Sequence, residues 1–116
     1  MNKVVLTGNL TKDLEVTTAK NFTLGRFTIA VNNGYGENQT TQYIPCSIFG
    51  DRVESLQKYL LKGVKVLVDG SIYYENFKDD DDSWKTSFNI TVQNIEILKF
   101  KEIEEKTNKY NKKGRK

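Results

Sequence analysis

Histidine is absent from the 116 residues, and cysteine, proline, methionine and tryptophan occur once each. Without His the commonest general base and the commonest zinc ligand are missing. One Cys and no His leave no structural zinc set of the usual ligands within one chain. Enzyme classes that need either are excluded. The lone Cys46 has no intramolecular disulfide partner, which fits a reducing compartment. Long apolar runs are also missing. Val4-Val5-Leu6 is interrupted at once by Thr7 and Gly8, so neither a secretory signal nor a membrane span is expected, and a cytoplasmic location is.

What is present is enough for one domain without a staple. The net charge of +3 conceals an asymmetry. Residues 1–98 hold ten Lys/Arg against twelve Asp/Glu, and residues 99–116 hold eight against three. The basic character therefore lies in a C-terminal tail, 99–116. Its poverty in apolar groups predicts mobility from Ile103 to Lys116, with Phe100 and Ile103 docking at most briefly.

The pattern centres on Gln42 to Gly50. Read with a period of two, Ile44, Cys46 and Ile48 make a core face. The other face, Tyr43, Pro45, Ser47 and Phe49, carries two rings where a solvated strand is usually polar. Either both faces are buried in a sandwich, or the rings are exposed for use.

Strands are predicted over Lys3–Asn9, continuing raggedly through Thr11–Val16, and over Phe22–Asn33. In the second, Phe22 and Leu24 differ in parity from Phe27, Ile29 and Val31; a bulge at Gly25 would reconcile them. Asn33–Thr41 reads as a loop, with Tyr35 between two glycines, either solvent-facing or packed back on the sheet. Asp51–Lys62 reads as a helix, with Asp51 and Glu54 forming a capping box and Val53, Leu56 and Leu60 an apolar stripe. Val64–Phe77 and Trp84–Leu98 are the remaining strands. The first points Val64 to Ile72 inward and Tyr73 and Phe77 outward. The second needs a turn or bulge near Gln93-Asn94. Between them Lys78 to Ser83 is a hairpin tip. Its Asp79–Asp82 run lacks the alternate spacing and glycine of a cation loop, so a solvated turn is expected and no metal or other cofactor. Five strands with one helix between the third and fourth give a mainly all-β chain, a five-stranded OB-fold barrel over residues 1–98.

The outward rings are then Tyr35, Tyr43, Phe49, Tyr73 and Phe77, and the positive charges near them Lys3, Arg26, Lys62, Lys65, Lys78 and Lys85. Rings interleaved with cations suit unpaired nucleic acid, since every base offers a π-face. Stacking contributes about 1–3 kcal/mol per base. Four rings used together give roughly 4–12 kcal/mol gross, and micromolar binding needs about 8. With a body slightly negative overall, stacking must carry much of the affinity.

The chain resembles the bacterial-type single-stranded DNA-binding proteins. The resemblance is carried by Asn2-Lys3-Val4-Val5-Leu6-Thr7-Gly8-Asn9-Leu10, Phe27-Thr28-Ile29-Ala30-Val31, Ile44 to Gly50, Tyr59-Leu60-Leu61-Lys62-Gly63 and Val66-Leu67-Val68-Asp69-Gly70, in family order over residues 2–98. It implies sequence-tolerant, non-catalytic binding of single-stranded DNA in replication, recombination or repair. It places base stacking on Tyr35, Tyr43, Phe49 and Phe77, with Tyr or Phe at three positions where Trp is frequent. It implies a homotetramer pairing through residues 2–9. Two features depart from the family. Pro45 removes a ladder donor, so its strand is expected to be locally unpaired or to face solvent at its edge. The final residues Lys112 to Lys116 are basic where the family carries an acidic tip that recruits partners. Recruitment through an acidic tail is therefore not expected, and a short paralogue or a phage or plasmid protein fits. Other readings are a single-stranded RNA or primosomal OB-fold protein, an OB-fold nuclease using Asp79–Asp82, and a protein-interaction module with the rings as hot spots.

Overall fold

Alternation along the strands decides which side chains meet inside. In the computed structural model, which describes residues 1–100, Ile29, Ile48, Val66, Val68 and Ile90 are fully enclosed, together with Phe27, Cys46 and Val92. They come from four of six strands: β1 (Val4–Leu10), β2 (Glu15–Ala19), β3 (Phe22–Asn33), β4 (Thr40–Phe49), β5 (Lys65–Lys78) and β6 (Trp84–Lys99). The sheet order is β1-β5-β6-β4-β3-β2, and β1 returns to β3 through Asn9 opposite Ala30 and Leu10 opposite Ile29. That contact closes the sheet on itself as an OB-fold barrel. β4 and β6 run parallel and pair only at Cys46–Ile90 and Ser47–Thr91.

Six strands stand where five were expected, because residues 11–14 do not prolong β1. The Thr11 amide donates to Thr28 O, the chain bends, Leu14 enters the core and β2 forms a hairpin with β3. The bulge expected at Gly25 is absent: β3 pairs with β4 without a shift from Leu24 to Asn33. Gly25 is instead a buried position where a Cβ would lie 2.9 Å from Val53 Cγ1 and 3.1 Å from Ile48 Cγ2 and Leu14 Cδ1. Phe22 and Leu24 therefore take the outer face with Arg26 and Thr28.

The helix is shorter than its apolar stripe suggests. α1 spans Arg52–Leu56, although Leu60 still bonds to Leu56 O and both Val53 and Leu60 are fully buried. Asp51 makes no side-chain cap, since its own backbone is helical (φ −66°, ψ −27°) and a capping residue must lie outside the helix. Past Leu60 the backbone groups are taken by the β1–β2 connection. Leu14 N donates to Leu60 O, Lys62 N to Asp13 Oδ1 and Gly63 N to Leu10 O. The helix is further pinned by Arg52, whose guanidinium donates to Gln93 O at 2.6 Å and Val92 O at 3.0 Å.

β5 and β6 pair along their whole lengths, with register shifts at Lys65/Val66 and Asp69/Gly70. The second shift leaves Gln93 as an extra residue, the irregularity expected near Gln93-Asn94. A Cβ on Gly70 would run into Thr91 O, so only glycine allows this approach. Beyond it the two strands outrun the barrel as a ribbon. Ile72, expected to point inward, is exposed there, as are Trp84 and Phe88, because no core lies beneath them. Phe100 packs edge-on against Tyr59, ring centroids 6.0 Å apart. Ile103 and the rest of the basic tail lie outside the described residues.

Candidate nucleic-acid interface

The outer faces of β3, β4, β6 and the ribbon curve around an open cleft of about 810 Å³. Register places its residues. Arg26 lies opposite Ser47, Thr28 opposite Pro45 and Leu24 opposite Phe49, while Ser71 and Tyr73 face Thr91 and Asn89. Tyr43, Phe49 and Tyr73 line the cleft and are 66, 48 and 51% exposed. They are not sandwiched in an interior. Ser47 at the floor is buried, and its hydroxyl donates to Asn89 Oδ1 at 3.1 Å, which satisfies the one buried polar side chain there. The Tyr73 hydroxyl donates to Glu75 Oε1 at 3.2 Å. The charge of that carboxylate, and then the hydrogen bond, push the Tyr73 phenol up from its ordinary value.

Pro45 sits just before the two-residue junction of β4 with β6. Among the described residues, 40–45 therefore pair with β3 alone and the other edge of β4 is open, as its missing donor suggested. A proline on an open edge discourages pairing with another strand.

The expected site residues are gathered only in part. Tyr35 is 91% exposed in the loop that leads into a 3₁₀ turn at Gly36–Asn38, and Phe77 is 42% exposed on the ribbon; neither lines the cleft. Of the cations, Arg26 lines it. Lys3 Nζ lies 2.6 Å from Asp69 Oδ1, and this hydrogen bond holds the Asp69 carboxyl below its usual range. Lys85 is 3.6 Å from Asp79 and Lys78 3.9 Å from Asp82. Lys62 and Lys65 are exposed away from the cleft lining.

Two contributors were missed. Lys12 lines the cleft from a bend where alternation predicts a ragged strand. Phe22 packs against Phe49 with centroids 6.4 Å apart and planes at 50°, extending the ring surface. A plain period of two through β3, without the bulge, would have put Phe22 on this face.

The four aspartates make a turn. Asp79 Oδ1 accepts from the amides of Asp81 and Ser83, and Asp82 takes a left-handed φ of 66°. Among the described residues no group of His, Cys, Asp or Glu is arranged to hold a metal ion, and no helix is long and apolar enough to cross a membrane.

Comparison with known proteins gives a consistent picture. Residues 1–98 match the single-strand binding protein family. A single-stranded DNA-binding protein of Onion yellows phytoplasma (strain OY-M) is 37% identical over 102 residues, covering 84% of this chain and 94% of that protein. One from Borreliella burgdorferi is 40% identical over 104 residues, covering 84% and 70%. Single-stranded DNA-binding protein 3 of Listeria innocua is 34% identical over 107 residues, covering 88% and 66%.

Proposed function

The chain belongs to the single-strand binding protein family, and from that premise we propose that its cleft holds single-stranded DNA by stacking bases on Tyr43, Phe49 and Tyr73. The observation that carries this reading is that three exposed rings share one concave face with Arg26 and Lys12. Three stacked bases contribute about 3–9 kcal/mol gross, which reaches the roughly 8 kcal/mol of micromolar binding only at its upper end, so phosphate contacts must add to it. Tyr35 and Phe77 extend the path at its ends, and Phe22 backs Phe49. Arg26 and Lys12 are the phosphate contacts nearest the rings. Lys62 and Lys65 serve a longer path, while Lys3, Lys78 and Lys85 must exchange carboxylate partners for phosphate.

The binding is non-catalytic and cytoplasmic, and it serves replication, recombination or repair by covering unpaired strands. Four copies assemble through β1, whose second edge is unpaired over Val4–Gly8 among the described residues and whose Val5 is 55% exposed. Size-exclusion chromatography with light scattering reads the assembly, a tetramer expected and a monomer excluding it. For the cleft, Tyr43→Ala and Phe49→Ala should each weaken oligo-dT binding by about 1–3 kcal/mol with the fold intact. Unchanged affinity in both would end this reading.

A further inference from the structure

The ribbon has a second face. Cross-strand pairing sets Ile72 opposite Ile90, Tyr74 opposite Phe88, Asn76 opposite Thr86 and Lys78 opposite Trp84. Alternation turns these away from Tyr73 and Phe77, although Phe88 also borders the cleft. Within the barrel this parity is core, as Val66, Val68 and Ile90 show, but from Ile72 onward in β5 and from Phe88 back to Trp84 in β6 it is open. Tyr74 is 60% and Trp84 69% exposed. Two ring-bearing rungs are separated by a polar one, in which the Thr86 hydroxyl donates to Asn76 Oδ1 at 3.1 Å. Lys78 Nζ lies 5.3 Å from the centre of the Trp84 ring.

A second protein copy would be better served by one continuous apolar patch with few charges at its centre. Separated rings with a cation over one of them fit a polyanion that offers flat π-faces. We propose that this face is a second base-stacking track for single-stranded DNA, continuous with the cleft around the edge of the ribbon. The proposal rests on the cleft being a single-strand site. The two ring rungs are four residues apart along the strand, about 13 Å, against about 3.4 Å per stacked step in a duplex strand. Bases on Tyr74 and Trp84 are therefore not stacked on each other, and the strand must be splayed.

Trp84 is the only tryptophan, so selectively excited tryptophan emission reports on this face alone. Titrating the full chain with poly-dT should quench that emission to saturation. Trp84→Ala should weaken poly-dT binding, read by competition against a labelled oligomer, by about 5- to 160-fold, and Trp84→Phe should restore most of it. Unchanged emission at saturating poly-dT, or quenching without loss of affinity in Trp84→Ala, overturns the proposal. Emission that shifts with protein concentration in the absence of DNA assigns the face to a second copy and overturns it as well. The cleft is judged separately: Tyr43→Ala still loses affinity if only the second track fails.

Discussion

At the scale of single residues, the barrel is set by how little room it leaves. Gly25 lies where Val53, Ile48 and Leu14 converge, so a methyl group there must push the helix or the core aside. Gly25→Ala should cost about 1–3 kcal/mol, measured as a lowered midpoint in urea unfolding with the slope unchanged. Cys46 is buried, and burial pushes its thiol up to about 12 from 9.0. A group whose pKa is raised on folding stabilises the fold below its unfolded value and withdraws that contribution as pH climbs toward the folded one. Between about pH 9 and 12 the folded chain holds a proton the unfolded chain has lost, a slope of about 1.4 kcal/mol per pH unit. Urea midpoints across that range should fall more steeply for the native chain than for Cys46→Ala. At neutral pH the same thiol should react with thiol reagents only as fast as the protein unfolds.

At the scale of elements, strand existence was legible and strand environment was not. β3 spans the same residues that alternation marks, Phe22–Asn33, and the irregularity near Gln93-Asn94 follows from Ile95 and Ile97 breaking parity with Val92. The ribbon was not legible. Ile72, Phe88 and Trp84 continue a core parity, and nothing local announces that the core ends at Gly70. The helix was overestimated because its stripe is real, yet Asp13 and Leu14 capture the backbone groups after Leu60. In the site, Tyr43 and Phe49 were legible as rings on the wrong face for a core. Lys12 was not, since it arrives through a bend that alternation cannot foresee. α1 is too short to stand alone, so its anchorage matters. Arg52 closes it onto the two carbonyls at the β6 irregularity. Arg52→Ala should destabilise the fold by about 1–3 kcal/mol, seen by thermal or urea unfolding. Arg52→Lys should recover only part of that, because a point ammonium replaces a two-pronged fork.

At the scale of the whole molecule, charge and rings are divided between parts. The 98-residue body has two more acids than bases, and four of its acids sit at the ribbon tip. Attraction for phosphate in that body has to be local, and if the eight Lys/Arg of residues 99–116 add phosphate contacts, the salt dependence of binding will show it. Removing residues 101–116, which keeps the Phe100–Tyr59 contact, should flatten the plot of log affinity against log salt, because fewer counterions are released. An unaltered slope would assign the tail to another task.

Among the described residues, the strand pairing of the rungs from Tyr74 to Lys78 and from Trp84 to Phe88 is with each other alone. Their amides should exchange with solvent deuterium by fraying from the tip, long before those of Val66 or Ile90 open. Such an appendage can be lengthened, repainted or trimmed by mutation while the barrel behind it goes on folding as before.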